Sequence, residues 1–259
     1  MLRKLIKYDL LWINRVLIFY YAITVVLSVL TRITSNFTDS AIGDILHGIL
    51  LGCTIGAFVN TLINAAIRIW VRFTQNHYKD ESYLTHTLPV TKAQLYDSKI
   101  FSALITVLIA LAVVIICFFV AFWNDDMYQY FHNLVQIEDM TFVLIGMIIT
   151  TILEVIYIIA VGIFGIVLGH RANNNRMVIS ILIGVVLYFS LQTFLLVVVF
   201  IAGFFDDSIM AMFSNNPDNS ISFDSYRTLI IITDISYFVL NTGLFLGAKK
   251  LFEKGVNVD

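Results

Sequence analysis

Residues Lys79 to Lys99 read KDESYLTHTLPVTKAQLYDSK, a polar stretch set between two long apolar runs. Within it, Thr91 to Gln94 (TKAQ) has the form of a capping box: the Thr91 hydroxyl takes an otherwise unpaired amide at a helix start, and the Gln94 side chain reaches back. A helix is therefore expected to begin near Lys92 and to run into the apolar residues beyond Lys99. Pro89 disfavours helical backbone at Leu88, so a preceding helix over about 79–87 must end there. The stretch thus specifies a short helix, a sharp break, and a second helix entering an apolar phase.

The rest of the chain supplies that phase. Of 259 residues, 59% are hydrophobic and 13% charged, against roughly half and a quarter in soluble domains. Mean hydropathy is +0.88, the range of proteins that cross a membrane repeatedly. Apolar runs fall at about Val16 to Leu30, Ile42 to Ala66, Ile100 to Trp123, Thr141 to Gly169, Val178 to Ala202 and Leu229 to Leu246. Each approaches or exceeds the roughly 20 residues that cross a bilayer, except the first, which borrows from the helix before it. That earlier segment, 1–15, places Leu2, Leu5, Ile6, Leu10 and Ile13 at helical spacing with Arg3, Lys4 and Lys7 on other faces, the pattern of an amphipathic helix lying in the membrane interface. A signal peptide is the competing interpretation, but no small-x-small cleavage site follows.

Basic residues set the orientation. All but two of the 16, Arg32 and Arg227, fall at the termini, around the 79–99 loop or at Arg171 and Arg176. By the positive-inside rule both termini and the 79–99 loop are expected to be cytoplasmic. The opposite connections are acidic, with Asp39, Asp44, Asp125, Asp126, Glu138, Asp139, Asp206, Asp207, Asp218 and Asp224. The longest of them, 203–227, alternates apolar clusters with turn residues and is expected to form short helices or a re-entrant hairpin at the outer leaflet. No insertion is large enough for a soluble domain, so 1–259 reads as one membrane domain.

Soluble-enzyme chemistry finds no foothold. There is no G-x-x-x-x-G-K-[ST] phosphate loop, no H-E-x-x-H and no nucleophile elbow, and His47, His77, His86, His132 and His170 lack ligand spacing. Cys53 and Cys117 lie within apolar runs, where thiols behave as small hydrophobes. Two prolines only, Pro89 and Pro217, both fall in expected loops.

The order Glu81, Leu84, Thr87-Leu88-Pro89-Val90-Thr91, Leu95, Lys99 resembles the first cytoplasmic loop of type-2 ABC exporter permeases, with Ser82 where a glycine is common in that family. The six-span layout extends the resemblance along the whole chain. What it implies is specific. The fold would be all-α: a polytopic membrane protein with six transmembrane helices, an N-terminal amphipathic interfacial helix continuous with the first span, and a cytoplasmic coupling helix between spans two and three. The coupling helix would dock on a separate ATPase subunit through Glu81, Tyr83, Leu84 and Leu88. This chain would bind no cofactor; ATP and Mg would sit on the partner. Partners would be ABC ATPase subunits, a second permease subunit, identical or homologous, and membrane lipid, with no nucleic acid. The location would be a bacterial plasma membrane, and the cargo an amphipathic peptide, lipid-like molecule or drug.

Four residues stand out as candidate pathway groups. Glu154 lies near the middle of the fourth span, and Asp234 about a turn and a half inside the sixth, beside Thr233, Ser236 and Tyr237; carboxylates at such depth are costly and often functional. Asn60, with Thr61 and Asn64, makes one polar stripe on the second span, suited either to a cavity or to gluing helices. Gly52/Gly56 and Gly243/Gly247 form G-x-x-x-G pairs expected to permit close helix packing. An ion-coupled carrier or channel working through Glu154 is the alternative to the exporter, and a non-transporting membrane scaffold or sensor is a third.

Overall fold

The computed structural model of the chain describes residues 2–37, 40–79, 81–87, 89–137, 140–172, 174–206, 209–210 and 223–255, with the backbone alone at 86, 125, 126 and 223. Secondary structure among them is helical throughout: α1 (Leu2–Thr34) with a 3-10 turn (Ser35–Phe37), α2 (Ala41–Tyr78), α3 (Ser82–His86), α4 (Lys92–Phe122), α5 (Asp125–Val135), α6 (Met140–Gly169), α7 (Arg176–Gly203) and α8 (Phe223–Glu253). Six of these, all but α3 and α5, are long and apolar enough to cross a membrane. The chain is a multi-pass membrane protein.

Its packing follows the chemistry of that solvent. Along α4 six of the twelve buried positions are Ser, Thr or Ala, namely Ser98, Ser102, Ala103, Thr106, Ala110 and Ala121, while Phe101, Leu108 and Ile116 point outward. Lipid tails are as apolar as leucine, so helices gain little by hiding large side chains from them; small residues let backbones approach, and hydroxyls bond across. Two such bonds join α1 to α2, Thr24 to Thr61 at 2.8 Å and Thr31 to Thr54 at 2.7 Å.

The helices sort into two units, divided in sequence after Tyr130 within α5. In the first, α1, α2 and α4 pack together and α3 rests on α2. In the second, α6 packs on both α7 and α8. At the α6–α7 crossing Gly165 faces Ser180 and Gly184, whose backbone would lie 2.9–3.1 Å from any Cβ added at Gly165, and Gly169 lies closer still to the Ser180 backbone. A side chain there would force the helices apart.

The helix starting at Leu2 runs unbroken to Thr34, the continuity with the first span that the resemblance implies, while several other expectations are corrected. Its apolar face, including Ile13 and Leu17, is buried against the neighbouring helices. The second span continues twelve residues past Ala66, and Lys79 caps it instead of opening the next helix, so α3 is only five residues long. α5 was not anticipated; Asn124 caps it, its side chain accepting from the Met127 amide at 2.8 Å. Gly52 and Gly56 make no close approach, with nothing described within 4 Å of an added Cβ, and Gly243 is equally open, whereas Gly247 meets the Phe164 ring at 3.0 Å. Most of 203–227 lies outside the described residues. At its start the Asp206 carboxylate accepts from the Ser225 hydroxyl at 3.0 Å, joining the connection to α8.

Candidate functional site

The 79–99 stretch folds as its residues dictate. The Thr91 hydroxyl accepts from the Gln94 amide at 3.2 Å, and Gln94 Oε1 accepts from the Thr91 amide at 3.3 Å, which closes the capping box and starts α4. α3 ends at His86, ahead of the proline, with the Thr87 hydroxyl donating to the Leu84 carbonyl at 2.9 Å. Tyr83 and Leu84 project from it, 75% and 69% exposed. Such exposure on a five-residue helix leaves two large apolar side chains available to a partner. Leu88 lies outside the described residues.

Glu81, immediately before α3, does not share that exposure. Its carboxylate accepts from Arg72 Nη1 on α2 at 2.8 Å. The same guanidinium donates through Nε to Asp9 of α1 at 2.9 Å, and Asp9 takes both its oxygens to Lys99 Nζ of α4, at 2.6 and 2.7 Å. Asp9 and Lys99 are buried, 1% and 6% exposed, and the Arg72 guanidinium is held from its other side by the Trp12 ring at 4.9 Å. Two acids and two bases therefore form one charge-balanced chain, Glu81–Arg72–Asp9–Lys99, that runs from the start of α3 through α2, α1 and α4. A pair this buried offers little net stability over an apolar substitute, but removing one member strands its partner at a cost of about 3–5 kcal/mol. What the arrangement secures is geometry: three long helices and the root of α3 are held in register at one end of the unit. Beneath it Phe73, His77 and Tyr96 pack edge-on, with centroids 4.8 and 6.1 Å from Phe73.

Sequence alone singled out Glu81 and Lys99 but not Asp9 or Arg72. The signal was present. Asp9 stands on the apolar stripe of the first helix, among Leu5, Ile6, Leu10 and Ile13, where a carboxylate makes sense only with a buried cation opposite.

Asn60 and Asn64 are brought together with each other, Asn64 Nδ2 donating to Asn60 Oδ1 at 2.8 Å. Asn60 faces outward from the first unit, whereas Thr61 beside it is buried in its bond to Thr24. The stripe is thus split, glue on one side and a pair of bonded amides, led by the outward-facing Asn60, on the other.

Glu154 and Asp234 belong to the second unit, and both lie half-buried along the α6–α8 seam. Asp234 is not satisfied by the hydroxyls beside it in sequence; Thr150 of α6 donates to its Oδ1 at 2.6 Å. Glu154 lies one turn further along α6 from Thr150. Asn241 Nδ2 donates to the Leu153 carbonyl at 3.0 Å, while its buried Oδ1 accepts from no described residue. The seam is accordingly rich in acceptors, and the basic residues of this unit lie toward the helix ends.

Against α8, α7 leaves a cavity of about 430 Å³. Its walls are apolar, Leu195, Leu196, Val199 and Ile232 among them, and one end carries Gln192, Thr233, Ser236 and Tyr237. Gln192 Nε2 donates to the Tyr237 hydroxyl at 3.4 Å, and Ser236 spends its proton on the Ile232 carbonyl at 2.7 Å.

Among the described residues no cluster of three or more histidine, cysteine or carboxylate side chains could hold a metal ion. The chain matches no protein-family model, and searches of curated proteins and of solved structures return no match. Fold and site together therefore define a class, a six-span membrane protein with a short projecting helix wired by buried charge to its spans.

Proposed function

We propose that the chain is the membrane-spanning subunit of an ATP-driven exporter of the type-2 ABC class, working with a second permease subunit and two separate ATPase subunits in a bacterial plasma membrane. The observation that carries the proposal is the Glu81–Arg72–Asp9–Lys99 chain. It couples the one short helix that offers exposed Tyr83 and Leu84 to a partner with the helices that cross the bilayer. A force applied at α3 is passed through Glu81 to α2 and through Asp9 to α1 and α4 as a unit, which is what a lever between a motor and a pathway requires. The distribution of basic residues supports a cytoplasmic position for α3 and both termini. The lack of a phosphate loop in this sequence supports a motor carried by another chain, which would also hold ATP and Mg.

An ion-coupled carrier is the second reading, favoured by the α6–α8 seam, where Glu154 and Asp234 lie half-buried in apolar helices and Asp234 accepts from the Thr150 hydroxyl. The two differ in what α3 does. In the exporter, Leu84→Asp places a charge at the centre of the docking face while leaving the fold untouched, since Leu84 is exposed. The variant should insert and melt like the parent but lose co-purification with the proposed ATP-binding-cassette ATPase subunit. Undiminished co-purification of Leu84→Asp would remove α3 from the coupling role.

A further inference from the structure

We propose that α5 lies on the membrane surface, its apolar side seated in the headgroup boundary of zwitterionic lipid in the leaflet opposite α3. This needs only the membrane spans and is independent of the exporter reading. α4 begins beside α3 and ends at Phe122, so α5, which starts at Asp125, stands where that span leaves the bilayer. Among the described residues it has no extended packing on any of the six spans.

The sequence of α5 divides it lengthwise. At about 100° per residue, Met127, Tyr128, Tyr130, Phe131, Leu134 and Val135 fall within an arc of about 160°, and Gln129, His132 and Asn133 fall together on the opposite side. That is the pattern of a helix between two solvents. The protein leaves the apolar side largely uncovered: Tyr128, Tyr130 and Val135 are each more than half exposed.

The occupant follows from continuity with α4. Phe119 and Trp123, both exposed at the end of that span, meet edge-on with centroids 5.4 Å apart, and Trp123 meets Tyr128 of α5 in the same manner at 6.4 Å. One aromatic surface therefore runs from the outward side of α4 on to the apolar side of α5. Trp and Tyr concentrate at headgroup depth because each has an apolar body and a polar tip. The charge of the lipid follows from the remaining residues. Interfacial helices drawn to anionic lipid carry Lys and Arg on the polar side; from Asn124 to Met140 this chain has neither, and it has Asp125, Asp126, Glu138 and Asp139. Anionic headgroups would be repelled, so apolar contact alone holds α5, and a zwitterionic surface admits it without that repulsion.

The test uses the full chain with Cys53→Ser and Cys117→Ala, in phosphatidylcholine nanodiscs without ATPase. Nitroxides are attached singly through Tyr128→Cys, Tyr130→Cys and Val135→Cys on the apolar side and Gln129→Cys, His132→Cys and Asn133→Cys on the polar side. Collisions with oxygen, which partitions into lipid, are compared with collisions with a water-soluble nickel chelate. Oxygen should dominate at the first three positions and nickel at the second three, a swing with the period of the helix. Phe131→Glu, which puts a charge within the apolar arc, should erase the swing and leave nickel dominant at all six. Exchanging part of the phosphatidylcholine for phosphatidylglycerol should leave α5 at the same depth or shallower. Nickel dominance at all six positions of the parent would overturn the membrane seat. Exclusion of both reagents at 128, 130 and 135 would overturn it as well, because protein would then cover that side. An unchanged swing in Phe131→Glu would overturn apolar contact as what holds α5, and a deeper seat in phosphatidylglycerol would overturn the choice of zwitterionic lipid. Since the assay contains neither ATP nor a motor, each of these failures leaves the exporter reading standing.

Discussion

Asp9 is the residue on which the first unit turns, because it alone accepts from both buried cations. Asp9→Asn would keep the shape and strand two cations, although Arg72 retains Glu81; Lys99→Met would leave Asp9 still held by Arg72. The expected order of destabilisation in one detergent is therefore Asp9→Asn first, at about 3–5 kcal/mol, Lys99→Met second, and Glu81→Gln last. Glu81 is 45% exposed at its side chain, and pairs of that kind contribute at most about 1 kcal/mol. Melting temperatures of the three variants check the order, and a Glu81→Gln that melts below Asp9→Asn would contradict it. The acids and bases of this network were only half legible in the sequence. Lys99 and Glu81 lie in a polar loop that draws notice, while Asp9 and Arg72 sit inside helices whose charges look like ordinary interfacial ones until the partner is seen across sequence separations of 63 and 90 residues. Local periodicity places Asp9 on an apolar stripe, and so calls for a buried cation, but does not say which cation meets it.

At the scale of the element, what is encoded locally came through and what depends on tertiary burial did not. The capping box at Thr91 and the break at Pro89 are properties of four to six consecutive residues, and both appear where expected. The extension of α2 to Tyr78 was missed because Arg68 and Arg72 resemble the start of a loop. The buried positions Ala65, Ile69, Phe73 and His77 nonetheless repeat every fourth residue, one helical face in full view. α5 went unnoticed because it is only eleven residues long and amphipathic, too short for a span, and its cap is a single asparagine. The capping box gives a prediction at this scale. Thr91→Ala removes the acceptor for the Gln94 amide and should cost about 1 kcal/mol, within the roughly 0.5–2 range for such caps. Thr91→Ser should restore it. Hydrogen exchange at the Gln94 and Leu95 amides would report the loss directly, and unchanged protection in Thr91→Ala would show that α4 starts without its cap.

For the whole molecule, six apolar helices were legible from hydropathy because the bilayer imposes length and composition on each span separately. Their division into a unit of α1, α2 and α4 and a unit of α6, α7 and α8 was not, since it depends on which faces match. Nor did the sequence reveal the α7–α8 cleft, whose lining comes from residues of both helices and follows no motif. The central claim is that transport through this chain is driven by ATP on a separate subunit and not by an ion gradient acting through Glu154. Glu154→Gln keeps the size and hydrogen bonding of the side chain but cannot titrate near neutral pH. The deciding measurement is uptake of a lipid-like amphiphile of fixed charge, which cannot follow a pH gradient as a free base, into inside-out proteoliposomes holding the chain and its ATPase, each tested with and without ATP and with and without a pH gradient. The account predicts uptake only with ATP, independent of the gradient and retained in Glu154→Gln; uptake driven by the gradient without ATP, and lost in well-folded Glu154→Gln, would contradict it.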